Sequence, residues 1–473
     1  MSADRVPRVA VIGGGISGLA AAHRLVELGR TQGRPLDVRL FEASSRLGGV
    51  IATERTDGFV IEAGPDSFLS EKPAALQLCE RLGISQRLIG TREEFRRTYV
   101  VRGGRLYPLP DGFLLLAPTQ FWPLVRTRLF SWPGKLRMAL DLVIPRGQSN
   151  SDMSLSSFVT RRLGHEALER VAQPLVGGIY TADPDDLSLL ATMPRFLEME
   201  RSQRSVILAM WRQRRMAPPA TSDGSGARWS LFLSFDDGLQ CLVDRLAQAL
   251  PDGTVQLGRP VRALERTDIG WRIDGEQDFD GVLLTLPAYA AAALLRGVDS
   301  PLATELAAIP YASSTIVTFA FRREAIPDPL DGFGFVVPHV ERRALLAATF
   351  SSIKYAGRAP FDFVLVRAFV GGALRPELVD LDDAALLAAV RGELAILLGI
   401  RADPELTRIA RWPASMPQYQ VGHLDRISRV AKRTASLRAL RLAGSAYAGV
   451  GIPDCIRSGE EAAESLFSTF TSR

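Results

Sequence analysis

Cysteine is scarce in this chain: the three residues, Cys79, Cys241 and Cys455, stand far apart. That spacing supplies neither a disulfide framework nor a metal-ligand pattern, and it points to a reducing compartment, the cytoplasm or the inner face of the cell membrane. Histidine is as thin. His23, His165, His339 and His423 are dispersed, none in a Ser/His/Asp or metal spacing, and H-E-x-x-H, C-x-x-C and G-x-S-x-G are all missing. Hydrolysis, phosphoryl transfer and metal chemistry therefore lose support. No 18 uncharged apolar residues run together, which excludes a spanning helix, and a first strand starting near residue 8 leaves no room for a signal peptide. Lysine is confined to Lys72, Lys135, Lys354 and Lys432, so the net charge of +5 is almost wholly arginine. Those arginines are scattered, without an aromatic-interleaved basic block, which argues against nucleic acid and leaves anionic small molecules and anionic membrane surfaces as partners.

What is present begins with Arg8 to Gly18, RVAVIGGGISG. Val9 to Ile12 read as a buried parallel strand, and Ile16 to Leu28 carry the helical period. Between them lies Gly13-x-Gly15-x-x-Gly18, with Gly14, Ile16 and Ser17 filling the pattern. The first glycine allows the tight turn, the second lets a pyrophosphate approach the backbone, and the third lets helix and strand pack closely, with the phosphates at the positive helix end. A second strand, Val38 to Phe41, ends in Glu42, the carboxylate such a unit needs for ribose hydroxyls. The plainer alternative is a glycine turn in an ordinary βαβ unit. Ala43, Arg46-Leu47-Gly48-Gly49 and Gly64-Pro65-Asp66-Ser67 follow. The glycine pair lets amides face phosphate or flavin, and Arg46 can neutralise a pyrophosphate. Glu42 followed by Arg-x-Gly-Gly resembles the two-dinucleotide-domain flavoproteins related to amine oxidases, which shifts the cofactor from NAD to FAD.

Further along, a hairpin is expected over Thr98 to Leu109, and helices over Leu124 to Ile144, Leu155 to Leu163, Glu166 to Val176 and Met193 to Trp211. Phe113 to Val125 reads as a buried helix or channel wall, with a membrane-lying segment as the alternative. Strands are expected at Thr315 to Phe321, Gly334 to Val337, Phe363 to Val370 and Leu440 to Ala443, and a helix over about Asp382 to Leu398. The fold class is α/β: a discontinuous Rossmann-like FAD-binding domain (1–95, 229–295 and 405–473), an antiparallel sheet plus helix for substrate (96–110 and 296–404), a helical subdomain (111–215) and a Pro/Ser/Gly linker (216–228). The chain closes with Gly449-Val450-Gly451-Ile452 before a helix starting near Pro453. That helix can set its N–H groups and positive dipole end against a flavin, favouring the anionic reduced ring. A Gly cap before an ordinary terminal helix is the plainer account.

Ser131-Trp132-Pro133-Gly134-Lys135, Gly178-Ile179-Tyr180, Met416-Pro417-Gln418-Tyr419 with Gly422-His423, and Gly449 to Ile456 resemble the oxygen-dependent porphyrinogen oxidases of haem biosynthesis, over residues 8 to about 467. The resemblance implies a six-electron oxidation of a porphyrinogen: hydrides pass to flavin N5, imine–enamine tautomerisation returns further hydrogens to that position, and O₂ reoxidises FAD with release of H₂O₂. It places non-covalent FAD on Gly13 to Gly18, Glu42, Ala43, Gly49, Gly64 to Ser67, Val261, Trp412 and Val450 to Ile452. Coproporphyrinogen III is favoured as substrate over protoporphyrinogen IX because the Ser-Met-Pro-Gln-Tyr and Gly-Ile-Pro-Asp-Cys wording is nearest the soluble bacterial branch. Related enzymes often hold a propionate with an arginine just before the residue matching Tyr99. Thr98 stands there in this chain, so Arg97 is the candidate anchor, against a solvated charge run. Gly178 either offers its carbonyl to the macrocycle or forms a helix-terminal turn. Remaining expectations are a monomer or homodimer, at most peripheral membrane contact, and a further haem-pathway enzyme as partner. An amine oxidase and a non-catalytic porphyrin carrier are the more distant alternatives.

Overall fold

The computed structural model describes residues 5–114, 117–118, 120–147, 151–216 and 230–471. The expected linker at 216–228, apart from Met216 at the end of a helix, and part of Phe113–Val125 thus lie outside the described residues. The opening strand Arg8–Ile12 is the centre of a five-stranded sheet, flanked by Asp37–Phe41 and Gly281–Leu284, with Val255–Gln256 and Leu440–Leu442 at the edges. Every pairing is parallel. Such strands are buried on both faces, which is why Val9 to Ile12 and Gly281 to Leu284 read as unbroken apolar runs. Counted along the chain, the order is 3-2-1-4-5, the doubly wound arrangement whose switch point lies beside the first strand.

The helix Ile16–Thr31 leaves that first strand, and the closing helix Ile452–Thr471 packs along it. Their crossing is set by Gly459, whose Cβ would stand 2.2 Å from the Ser17 carbonyl oxygen, while Gly18 closes the strand–helix turn, where a Cβ would stand 1.9 Å from the Gly13 carbonyl oxygen. The two ends of the polypeptide therefore meet at the glycine turn. Gly459→Ala is expected to cost about 3 kcal/mol by overpacking, read as a lower denaturant midpoint. Gly392→Ala, in the helix Asp383–Leu398 with nothing within 4 Å of its Cβ, should hold or raise stability, as a helix-interior glycine does when given a side chain.

A second sheet has seven strands in the order Leu406–Pro417, Tyr311–Arg322, Phe363–Gly371, Ala347–Phe350, Gly334–Val336, Thr98–Arg102 and Arg105–Pro108. It is antiparallel except where Thr98–Arg102 runs parallel to Gly334–Val336. One face, carrying Val317, Phe319, Phe335 and Val366, packs on Leu386, Val390 and Leu394 of the Asp383–Leu398 helix. The other face turns Val100, Val336, Ala347 and Phe369 toward the helical segment. The strand Leu406–Pro417, beginning just past the boundary expected at residue 405, stays in this sheet and pairs along Tyr311–Arg322.

The helical segment is more broken than periodicity suggests. Leu124 to Ile144 divides into Phe121–Arg126 and Trp132–Ala139, because Ser131 caps the second helix through Gly134 N–H and Pro133 cannot continue the first. Met193 to Trp211 divides at Arg204, which adopts the left-handed conformation between Pro194–Gln203 and Val206–Met216. Glu166 to Val176 extends to Tyr180 through a π turn at Leu168–Ala172, just ahead of Pro174. Fully buried Arg162 and Asp141 pair in the middle of this segment. Asp141 also accepts from Ser205 Oγ and the Ile207 N–H, and Arg162 reaches Glu200. Each buried charge therefore has a partner, which is the condition for keeping it there.

Candidate active site

The glycine turn is held open by its own hydrogen bonds. Gly13 N–H donates to Phe41 O, Gly48 N–H donates to Gly14 O, and Thr285 Oγ1 reaches Ile12 O and Gly13 O. Gly13 sits at φ +111°, which favours glycine, whereas Gly15 is extended at φ −70°. Nothing lies within 4 Å of a Cβ built on Gly15. Gly15 therefore faces open space at the start of the helix Ile16–Thr31, a cradle for a pyrophosphate. Gly49 approaches from across this space, its built Cβ 3.3 Å from Gly15 Cα.

Glu42 ends its strand beside this turn, its Oε2 accepting from Gly14 N–H at 2.6 Å and its Oε1 from Ser44 N–H at 2.8 Å. The carboxylate is fixed where the βαβ logic places a ribose, with exposed Ala43 next to it. Val261 packs on the far side of the sheet's core and precedes the strand Leu264–Arg266 rather than belonging to it. Arg46, expected to neutralise a pyrophosphate, folds its guanidinium on the carbonyls of Leu47, Gly49 and Ile51. It braces the Gly48-Gly49 loop from outside.

Gly64 to Ser67 form a second wall. A Cβ on Gly64 would stand 1.8 Å from Val50 O, so the loop can lie there only as glycine. Trp412 Nε1 donates to Ala63 O at 2.7 Å, tying the seven-stranded sheet to this loop. Asp66 accepts from Lys354 Nζ at 3.1 Å and pairs with Arg367 at 3.3 Å, while Ser67 Oγ donates to it at 2.7 Å. Burial alone would raise the Asp66 carboxyl, but Lys354 and Arg367 more than offset it and hold the group well below the usual carboxylate range. Arg367 is only 2% exposed, donates to Gly64 O, and leaves its Nε without a partner. Sequence reasoning missed Arg367, although one arginine inside the apolar strand Phe363–Gly371 is a visible signal.

The closing turn completes the arrangement. Gly449, at φ +130°, leads into Val450, Gly451 and Ile452, and Cys455 N–H donates to Gly451 O. Pro453 has no N–H, so the first helical turn presents few donors, all directed at its open end. Asp454 in that turn accepts from Lys72 Nζ. Cys455 points into the core formed with Leu19, Ile456 and Ala463, and burial pushes its thiol up to about 12. Val450 belongs to the same apolar cluster as Leu175 and Tyr180 of the helix Gln173–Tyr180 and Phe369 of the sheet. Gly178 is exposed beside them with nothing within 4 Å of its built Cβ. The closing turn, the end of that helix and the inner face of the sheet thus meet in one apolar cluster.

Arg97 lies elsewhere. Its Nη1 pairs with Asp331 at 2.8 Å, and Tyr99 Oη donates to the same carboxylate. Tyr99 packs with the cluster on the far side of the sheet, whereas Val100 faces the helical segment. Thr98, paired with Gly334, shares the face of Val100 by the two-residue period. The structure sets Gly49 against Gly15, ties Trp412 to Ala63 beside Gly64 and packs Ile452 into the core that holds Ile16, whereas Gly178 lies on the helix that packs with Val450 and Arg97 lies behind the sheet.

Comparison with known proteins adds to this geometry. The family model described as flavin containing amine oxidoreductase matches residues 16–466. The chain is 36% identical over 469 residues to a coproporphyrinogen III oxidase of Bacillus subtilis (strain 168), covering 97% of each. It is 38% identical over 483 residues to one of Propionibacterium freudenreichii subsp. freudenreichii, covering 96% of this chain and 90% of that protein. A crystal structure from Exiguobacterium sp. 255-15, provisionally described as a protoporphyrinogen oxidase, superposes with a TM-score of 0.86 at 33% identity over 99% of each chain.

Proposed function

The chain belongs to the flavin-containing amine oxidoreductase family, and from that premise we propose that it oxidises coproporphyrinogen III to coproporphyrin III in haem biosynthesis, using FAD and O₂. The observation that carries this reading is the apolar cluster of Leu175, Tyr180, Phe369 and Val450 at the closing turn, in a chain similar along nearly its whole length to coproporphyrinogen III oxidases. FAD, when bound, takes the electrons and returns them to O₂ as H₂O₂. Gly13 to Gly18 and Gly49 hold the pyrophosphate, Glu42 with Ala43 holds the ribose side, and Val261, Gly64 to Ser67, Trp412 and Val450 to Ile452 line the remainder. Leu175, Tyr180, Phe369 and Val450 exclude water and present flat apolar surface to the macrocycle, with the Gly178 carbonyl as a polar contact. Burial pushes the Tyr180 phenol up to about 12, so its hydroxyl keeps its proton. Cys455 is committed to the core, so FAD is held without a covalent link, and acid precipitation should leave the yellow colour in the supernatant.

The second reading is protoporphyrinogen IX. It is favoured by one observation: Arg97 is committed to Asp331, which suits the substrate with fewer carboxylates to anchor. Initial rates on the two porphyrinogens decide. Porphyrin fluorescence growing far beyond the protein concentration, with matching H₂O₂, is expected, and faster on coproporphyrinogen III. Absence of turnover on both would leave a carrier and refute the oxidase reading.

Peripheral membrane contact is part of this proposal. Trp132, Leu136, Leu140 and Val143 are exposed, three of them by more than 60%. Their spacing lays one apolar stripe along the end of the helix Trp132–Ala139 and the turn after it. Arg126 and Arg128 precede the stripe in the chain, a pattern suited to an anionic lipid surface. The pair Trp132→Glu and Leu136→Glu should abolish flotation with phosphatidylglycerol vesicles while leaving turnover in solution at the wild-type value. A monomer or homodimer with a haem-pathway partner completes the reading. The same variants would dissociate a dimer if the stripe joins two copies.

A further inference from the structure

Pro417-Gln418-Tyr419 and Gly422-His423 form a motif to which the oxidase reading assigns no task, yet the structure places it between the closing turn and the helix Gln173–Tyr180. Gln418 and Tyr419 follow the end of the edge strand Leu406–Pro417, whose last residue still pairs with Tyr311. Gln418 N–H donates to Pro310 O at 2.9 Å, and Ser188 N–H donates to Tyr419 O at 2.8 Å, so the backbone here is fixed from two sides.

The adjacent side chains then part. Gln418 Nε2 donates to Tyr180 O at 3.1 Å, at the last residue of the helix that carries Gly178. Tyr419 Oη accepts from Gly449 N–H at 2.9 Å and donates to Ser445 O, closing both ends of the glycine turn that enters the final helix. Burial raises the Tyr419 phenol, so the hydroxyl keeps the proton it gives to Ser445. The Tyr419 ring cannot swing, because it stacks on His423 with centroids 4.1 Å apart and planes 11° from parallel. His423 is buried, and Gly422 N–H is anchored on Asp152 at 3.0 Å.

We propose that Gln418 and Tyr419 are positioning residues that set the gap between cofactor and substrate, Tyr419 holding the flavin-facing turn and Gln418 the end of the helix Gln173–Tyr180. This rests on the FAD reading above. It separates two effects that an ordinary core pair would mix. Removing the Tyr419 hydroxyl frees Gly449 and Ser445 but leaves Tyr180 in place. Removing the Gln418 amide frees the end of the Gln173–Tyr180 helix but leaves the turn braced.

The test compares the purified holoenzymes of wild type, Tyr419→Phe, Gln418→Met and Val390→Ala, the last a core truncation on the far face of the sheet. Tyr419→Phe should weaken FAD binding roughly tenfold, the worth of one or two hydrogen bonds. It should also lower the flavin midpoint potential, since the loosened turn stabilises the reduced ring less, and leave KM within about twofold. Gln418→Met should raise KM roughly fivefold with FAD affinity and potential unchanged. Val390→Ala should lower the melting temperature and move neither FAD affinity nor KM. The proposal is overturned if Tyr419→Phe keeps the wild-type FAD dissociation constant and potential. It is equally overturned if both motif variants behave as Val390→Ala does, or if FAD affinity and KM shift together in each. A wild-type protein that takes up no flavin would instead overturn the FAD reading itself.

Discussion

Replacing Gly15 by valine is expected to give a folded, colourless protein. Gly15 is extended rather than left-handed, so a branched side chain meets no backbone strain there. Its built Cβ meets nothing within 4 Å, so the sheet and the helix Ile16–Thr31 keep their packing. The valine methyls would instead occupy the space through which a pyrophosphate reaches the helix end, removing both the close approach and the favourable dipole field. Loss of FAD affinity by roughly a hundredfold or more follows from losing several charge-assisted hydrogen bonds together. Far-ultraviolet circular dichroism should match wild type, while the visible flavin bands and all turnover disappear. Full flavin stoichiometry in this variant would remove the glycine turn from the argument. Gly18→Val makes the contrast: its Cβ would collide with Gly13 O at 1.9 Å, so that variant should fail to fold rather than fold empty.

That contrast also marks what the sequence could show. The opening strand, turn and helix are legible because they are local: a run of apolar residues, three glycines at fixed offsets and a 3.6-residue period need no distant partner. The helix Leu155–Leu163 is legible for the same reason, with its Ser154 cap. Long-range choices were hidden. Leu406–Pro417 is an edge strand carrying Arg408 and Arg411, and an edge needs no clean alternation because half of it meets solvent. Arg97 is one residue from a position facing the helical segment, but which residues face that way follows from the pairing of Thr98 with Gly334, more than two hundred residues away. Charge at the site was the least legible, since Asp66, in a loop, finds Lys354 of the helix Ser351–Lys354 and Arg367 of the strand Phe363–Gly371 only once distant parts of the chain have been brought together.

Those last contacts carry the second large effect. Asp66→Asn is expected to lower stability at neutral pH by about 3–5 kcal/mol, because it leaves Lys354 and Arg367 beside each other without the carboxylate that justified burying them. The loop Gly64 to Ser67 would lose its anchor to the sheet, and FAD affinity should fall with it. The pH dependence distinguishes this from simple loss of packing. The folded carboxyl titrates well below its unfolded value of roughly 4, so the wild-type protein binds fewer protons than its unfolded chain in that range. Its stabilisation is complete above about pH 4 and is lost as the pH falls from there toward the folded value. The amide that replaces it cannot titrate. The stability difference between wild type and variant should therefore be widest near pH 7 and shrink steadily on acidification below about pH 4, as urea midpoints measured across that range would show. A difference that stays constant with pH would mean that Asp66 acts through shape alone, and that Lys354 and Arg367 find their compensation elsewhere.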